Sequence, residues 1–166
     1  MDAALLPGVE VVIAATAVDP ERAREVVSRV VDPEIPVLTI AELGILRDVV
    51  VEEGQVVVTI TPTYSGCPAM RQIEDDIRTH LGVAGFDRVV VKTTHTPAWT
   101  TDWIDPQAGA KLVAFGIAPP TSSTEVLCPR CDASAPRTVS SFGSTACKAL
   151  MVCVRCGEPF DWFKEF

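Results

Sequence analysis

Histidine is scarce in this chain, with only two among 166 residues. Imidazole is the usual base beside a nucleophilic cysteine and a frequent ligand of catalytic metals. The chain also lacks the Glu-x-x-His pair that di-iron helical bundles use and the G-x-G-x-x-G turn that binds dinucleotides. These absences argue against a Cys-His protease, a di-iron oxygenase and a dinucleotide-dependent enzyme.

Basic residues are also few. The chain has 14 Lys and Arg against 22 Asp and Glu, a formal net charge of −8 and a pI near 4.7. Binding to nucleic acid depends mainly on Lys and Arg that displace counterions from phosphates. The basic residues of the last forty positions are too few for a convincing patch, so we do not expect a nucleic-acid partner.

Long apolar runs and a basic leader are missing as well. Residues 5–17 are apolar and end in an Ala-x-Ala-like pattern, but no positive charge precedes them and Pro7-Gly8 and Glu10 interrupt them. No other stretch approaches the roughly 20 apolar residues of a membrane span. We therefore interpret residues 1–19 as an N-terminal lead-in and expect a cytoplasmic protein without a membrane contact.

Two CxxC pairs stand out near the C-terminus. Each pair brings two thiolates within reach of one metal ion, and 21 residues separate the pairs, which suits the hairpins of a zinc ribbon. The ligands would be Cys128, Cys131, Cys153 and Cys156. Disulfides fit poorly with a reducing cytosol. Four thiolates can also hold iron, so the choice between zinc and iron stays open, with structural Zn²⁺ favoured by the spacing.

Composition predicts two domains and the boundary between them. A hydrophobic content of 48% and a mean hydropathy of +0.27 allow one proper core and a small metal-stabilised module. Residues 119–124 are Pro, Ser and Thr and are typical of a linker. We therefore assign residues 20–118 to a first domain and residues 125–166 to a zinc-ribbon domain.

The first domain has the pattern of a small α+β fold. Asp19 and Pro20 mark the start of one helix, Gly54 suits the turn of a hairpin, and Gly82 is the expected stop of a second helix. The sequence predicts the order helix, strand, strand, helix and strand, at residues 20–30, 49–51, 56–61, 67–80 and 86–92. This order is typical of a mixed sheet packed by helices on one side. Residues 99–118 are expected to form a helix or an extended return.

Three further positions are candidates for chemistry. Cys67 lies where a strand leads into a helix, and the helix dipole there favours a thiolate. Asp32 and Glu34 lie on a turn stiffened by two prolines, and their carboxylates could converge on a metal with that thiolate. The structural alternatives are a buried Cys67 acting as a small hydrophobe and a solvated acidic loop. Cys147 is a fifth cysteine in the ribbon region, and we expect it to be a buried packing residue rather than a ligand.

These motifs resemble a known family. Asp32-Pro-Glu-Ile-Pro, Leu43-Gly44-Ile45 and the segment from Thr61 to Cys67-Pro68 resemble the iron-sulfur assembly domain of SufT-like proteins. The later segments 97–103, 111–120 and 141–150, followed by the last CxxC pair, resemble the PaaD family, the D component encoded with the phenylacetyl-CoA ring epoxidase. The resemblance extends over nearly the whole chain.

The resemblance implies an accessory role in aerobic phenylacetate degradation. Such a protein would assemble or repair the iron or iron-sulfur centres of the oxygenase and would not be catalytic by itself. The family's functional thiol corresponds to Cys67, where iron or a cluster would bind transiently, and its acidic loop corresponds to Asp32 and Glu34. Oxygenase subunits or iron-sulfur assembly proteins would be the partners, and a homodimer is left open. The alternatives are a non-catalytic structural subunit and an independent thiol enzyme.

Aromatic residues are only 6% of the chain and are concentrated in two segments, 97–103 and 158–166. Aromatic side chains at polar rims often anchor protein contacts. The same rings could instead fill the junction between the domain and the ribbon. Sequence alone leaves both interpretations open.

Overall fold

The computed structural model describes residues 19–121 and 126–166, so all but the last residue of the predicted lead-in at residues 1–19 and most of the predicted linker lie outside it. A small α+β unit is followed by an all-β ribbon, as predicted. None of the described helices is long and apolar enough to cross a membrane. The elements in chain order are α1 Pro20–Ser28, β1 Leu46–Glu52, β2 Gln55–Ile60, α2 Ala69–Val83, β3 Val89–Thr93, a 3-10 helix Thr101–Trp103, α3 Ala108–Phe115, β4 Ile117–Ala118, β5 Arg137–Ser140, β6 Lys148–Val152 and β7 Pro159–Phe163.

Helix α1 begins as the sequence predicts. The Asp19 side chain accepts a hydrogen bond of 3.0 Å from the backbone N–H of Glu21, and Pro20 occupies the first turn. Ala23 and Val27 face the core and are fully buried. The helix ends at Ser28, slightly earlier than expected, and the chain then turns into the acidic loop.

The first sheet has the order β1-β2-β3. Strands β1 and β2 form an antiparallel hairpin, and β3 lies parallel to β2. Glu53 and Gly54 both have positive φ, 49° and 72°, as a two-residue hairpin turn of type I′ requires. Strand β3 begins at Val89, later than predicted. Phe86, the predicted first residue of the strand, is buried in the preceding loop.

Helix α2 packs through the predicted apolar stripe. Ile73, Ile77 and Leu81 are all fully buried. The prediction that Gly82 stops the helix was wrong, because Gly82 lies inside it and the last helical residue is Val83. The positive φ of 89° that reverses the chain belongs to Gly85.

The second sheet has the order β4-β7-β6-β5. Strands β5, β6 and β7 are antiparallel neighbours, and the short β4 pairs in parallel with β7. Strand β4 therefore ties residues assigned by sequence to the first domain to the ribbon sheet. We call residues 19–116 the first module and residues 117–121 with 126–166 the ribbon module. The domain boundary at residues 119–124 stays a prediction.

The two modules share a core. Phe163 of β7 is 1% exposed and packs in the same apolar cluster as the first module's helices and sheet. Its ring centroid lies 6.0 Å from that of Trp99, whose indole N–H donates to the carbonyl of Leu43 at 2.9 Å. These two rings fill the junction between modules, whereas Phe160 and Trp162 pack in the ribbon's own apolar cluster. Phe166, in contrast, is 45% exposed.

Phe163→Ala should destabilise the whole protein by about 3–5 kcal/mol, because it opens a cavity in a core that both modules share. Urea unfolding followed by circular dichroism measures this cost. Phe166→Ala is the matched control and should cost about 1 kcal/mol or less, since that ring is largely exposed. Loss of ribbon structure alone, with the first module unfolding at its original midpoint, would contradict a shared core.

Candidate metal centre and thiol cluster

The two CxxC pairs converge at one point of the ribbon. Their four Sγ atoms all lie within 4.8 Å of one another. Cys128 and Cys156 are 3.8 Å apart at sulfur, and Cys131 and Cys153 are 3.6 Å apart. Four thiolates at about 2.3 Å from a tetrahedral zinc ion would be separated by about 3.8 Å. The four thiols therefore fit a tetrahedral metal centre.

Backbone turns hold each pair in place. The N–H of Asp132 donates to the Cys128 carbonyl at 2.9 Å, and the N–H of Gly157 donates to the Cys153 carbonyl at 3.0 Å. The N–H of Cys156 lies 3.5 Å from the sulfur of Cys153 and is the largest influence that lowers the pKa of Cys153 to about 6. This turn thus favours the thiolate of Cys153, the form that binds metal. At Cys156 the N–H of Glu158 lowers the pKa, but desolvation and the neighbouring thiols raise it to about 11.

A second group of thiols and carboxylates lies where the modules meet. We call it the thiol cluster, and it consists of Asp32, Glu34, Cys67 and Cys147. Cys67 follows β2 and precedes α2, and its N–H donates to the Tyr64 carbonyl at 3.3 Å. Glycine suits position 66 because the backbone φ there is +85°, which other residues rarely adopt. Steric room is not the reason, since an added Cβ would meet no atom within 4 Å.

Burial opposes the thiolate expected at Cys67. Burial raises its pKa, the Ala69 N–H lowers it, and the neighbouring charges of Glu34 and Cys147 raise it further. The net direction is upward, so the helix N-terminus does not make a thiolate here. A metal ion would have to displace a proton from this sulfur.

The acidic loop is ordered by one of its own carboxylates. Asp32 Oδ1 accepts hydrogen bonds from the N–H groups of Glu34 and Ile35, each 2.8 Å long. Asp32 is 6% exposed, and burial raises its pKa despite these bonds. Glu34 is half-buried, and its pKa is raised by burial and by Asp32. Both carboxylates are among the charges that act on Cys67. Among the described residues, however, only the four CxxC cysteines bring three or more ligand atoms close enough to hold one metal ion.

Sequence reasoning missed the ribbon's part in this cluster. Cys147 is buried, as expected, but in the core of the first module rather than beneath the ribbon. Its sulfur lies 3.0 Å from Thr145 Oγ1. Lys148 is 3% exposed and lies 3.8 Å from Asp161. The available signal was a fifth cysteine outside the CxxC pairs.

Comparison with known proteins identifies the family. Residues 20–93 match the family described as iron-sulfur cluster assembly protein, and residues 117–164 match the PaaD zinc beta ribbon domain. A protein of Escherichia coli K12, provisionally named as the D component of 1,2-phenylacetyl-CoA epoxidase, is 47% identical over 144 residues, covering 82% of this chain and 87% of that protein. The chain belongs to the PaaD family of epoxidase D components.

Two further relatives match the first module of this PaaD family member. An Fe-S protein maturation auxiliary factor of Porphyromonas gingivalis W83 is 38% identical over 85 residues, covering 50% of this chain and 80% of that protein. A crystal structure of a domain of unknown function, DUF59, from Bacillus anthracis has a TM-score of 0.50 and 27% identity, covering 58% of this chain and 91% of that one. The fold of the first module therefore also occurs without a ribbon module.

Cys128→Ser and Cys156→Ser should each release the ribbon metal, because structural metal binding contributes on the order of 10 kcal/mol in so small a module. Residues beyond about 126 should become protease-sensitive. The first module should keep its sheet and helices but lose stability, since Phe163 leaves its core. Elemental analysis and limited proteolysis measure both effects. Full metal content in both variants would contradict the assignment.

Asp32→Asn should leave stability unchanged or raise it, because an amide oxygen can still accept the two loop hydrogen bonds and no buried charge remains. Asp32→Ala is the matched control and should cost about 1–3 kcal/mol, since both N–H groups lose their acceptor. Thermal unfolding at neutral pH compares the two. Equal destabilisation by both substitutions would show that the charge itself holds the loop.

Proposed function

We propose that this chain is an accessory component of a phenylacetyl-CoA epoxidase system that assembles or repairs the iron or iron-sulfur centres of the oxygenase. The observation that carries the proposal is the match of residues 20–93 to the iron-sulfur cluster assembly family, with a half-buried Cys67 on which the charges of Glu34 and Asp32 act. The names of two relatives, an epoxidase D component and an Fe-S protein maturation auxiliary factor, support it. Oxygenase subunits or iron-sulfur assembly proteins would then be its partners.

Iron or a cluster is the cargo of this site rather than a resident cofactor. Cys67 is half-buried, so a cargo held there remains accessible to a recipient protein. Its raised pKa means that the empty site keeps the thiol protonated, and capture of iron would release that proton. A site of this kind can bind and release metal without a permanent set of four thiolates.

We further propose that the ribbon holds structural Zn²⁺. The ribbon family match and the tetrahedral arrangement of four thiols support zinc. The metal would stabilise a module that has only a small core of its own. Six free cysteines suit a reducing compartment, which supports a cytoplasmic location.

A structural subunit of the oxygenase is the second candidate function. An apolar cavity of about 340 Å³ lies between α3 and the first CxxC turn, with Val113, Pro119 and Leu127 in its lining. Val113 and Leu127 are exposed, as is nearby Phe115. Stable stoichiometric co-purification with the oxygenase would favour this role, whereas transient association and a metal-poor oxygenase in a deletion strain favour maturation. An independent thiol enzyme would require turnover by this chain alone.

Cys67→Ser should leave the fold and the ribbon metal intact but abolish support of growth on phenylacetate. The change is nearly isosteric, whereas a hydroxyl cannot replace a thiolate as an iron ligand. Growth of the complemented deletion strain and the iron content of its oxygenase measure the effect. Ser65→Ala, in the same loop and exposed, is the matched control and should complement fully. Full complementation by Cys67→Ser would contradict the maturation role and favour the structural-subunit role.

A further inference from the structure

We propose that a cavity beside the loop of residues 61–68 is a binding site for a single uncharged aromatic ring that carries one hydrogen-bonding group, as a phenol does. The cavity has a volume of about 210 Å³ and shares no residue with the four-thiol centre. The inference goes beyond the proposed maturation function and does not depend on it.

The two aromatic segments that stand out in the sequence meet at this cavity. Trp99 comes from the first segment and Phe166 from the second, and both line the cavity. Their ring centroids are 6.0 Å apart, and the rings meet edge to face at an interplanar angle of 66°. Aromatic rings favour this arrangement, and a third ring can join such a pair at a similar separation. The cavity therefore offers an aromatic surface to a flat ligand.

Hydrogen bonds hold both rings in place without a ligand. The indole N–H of Trp99 donates to the Leu43 carbonyl at 2.9 Å, and Trp99 is 6% exposed. The backbone N–H of Thr101 donates to the Phe166 carbonyl at 3.2 Å. A preformed site loses less conformational freedom when a ligand binds, so more of the contact energy appears as affinity.

A buried hydroxyl in the lining has no hydrogen-bond partner. Thr61 is 1% exposed, and its Oγ1 makes no hydrogen bond in the described part of the chain. A buried hydroxyl without a partner destabilises the empty protein, and a ligand group that bonds to it removes this cost. The buried side chain of Thr63 lines the same cavity. The ligand should therefore carry a group that can donate and accept hydrogen bonds, such as a hydroxyl.

Size and charge narrow the class of ligand. An apolar cavity of roughly 150 Å³ accommodates benzene. The present cavity, at about 210 Å³, leaves room for one ring and a small substituent. Among the described residues, no Lys, Arg, Asp or Glu lines it, and the imidazole of His95 is exposed. A buried carboxylate of the ligand would lose its hydration without gaining a cation, so the cavity favours a neutral phenol over an aromatic acid.

Calorimetric titration of the full, metal-loaded chain with 4-methylphenol tests the site. This phenol should bind at one site, and 4-methylbenzoate should bind at least about tenfold more weakly, because its carboxylate is charged. In NMR spectra, 4-methylphenol should shift the signals of Thr61 and Trp99 and leave those of the four CxxC cysteines unchanged. Equal affinity for the two ligands, or shifts confined to other surfaces, would overturn the proposal.

Thr61→Val removes the unpaired hydroxyl and keeps the shape of the side chain. It should raise the melting temperature of the empty protein and weaken binding of 4-methylphenol about tenfold. Binding of toluene, which has no hydroxyl, should stay the same or improve. An unchanged melting temperature together with an unchanged affinity for 4-methylphenol would show that this hydroxyl takes no part in a binding site and would refute the inference.

Phe166→Ala tests the aromatic side of the cavity. It should weaken binding of both 4-methylphenol and toluene about fivefold or more. Phe115→Ala is the matched control, because Phe115 is 48% exposed against 45% for Phe166 and lies outside this cavity, and it should change neither affinity. Equal effects of the two substitutions would contradict the assigned position.

A short peptide with a central tyrosine distinguishes two sources of the ring. Tighter binding of the peptide than of 4-methylphenol would identify the ligand as a tyrosine side chain of a partner protein. Weaker binding of the peptide would identify it as a free small molecule. Binding of neither by the folded wild-type chain would overturn the proposal and leave the maturation role untouched.

Discussion

The packing of the ribbon's last strands against the first module is the contact on which the rest of the structure depends. Phe163 and Cys147 lie in the core built by α1, α2 and the first sheet, and Trp99 packs against the Phe163 ring. Strand β4, where the chain enters the ribbon, also pairs with β7. The orientation of the ribbon is therefore set by apolar burial and by strand pairing together.

This packing determines the chemistry at the junction. The acidic loop and Cys67 belong to the first module, whereas Thr145, Cys147 and Lys148 arrive with the ribbon. Burial raises the pKa of all four groups, and neighbouring negative charges raise it further at Glu34, Cys67 and Cys147. The four-thiol centre shares no residue with this cluster, but a metal there would support it by stabilising the sheet that presents Cys147.

Local signals predicted much of the architecture. The start of α1, the hairpin turn at Gly54 and the stripe of α2 follow from capping, positive φ and helical periodicity, which are properties of neighbouring residues. The expected stop at Gly82 failed because glycine is tolerated within a helix, and Gly85 was equally available three residues later. The strand pairing of residues 117–118 with β7 had no local signature.

The amino-acid sequence by itself determined the four-thiol centre, since two CxxC turns place their sulfurs by local geometry and need only one hairpin between them. It also indicated Asp32, Glu34 and Cys67 as candidates that could converge on a metal. Only the tertiary structure decided that Cys147 of the ribbon is buried in the first module's core and that burial raises the pKa of Cys67. The physical reason is that proximity across a module boundary, and the desolvation that follows from it, depend on how distant segments pack.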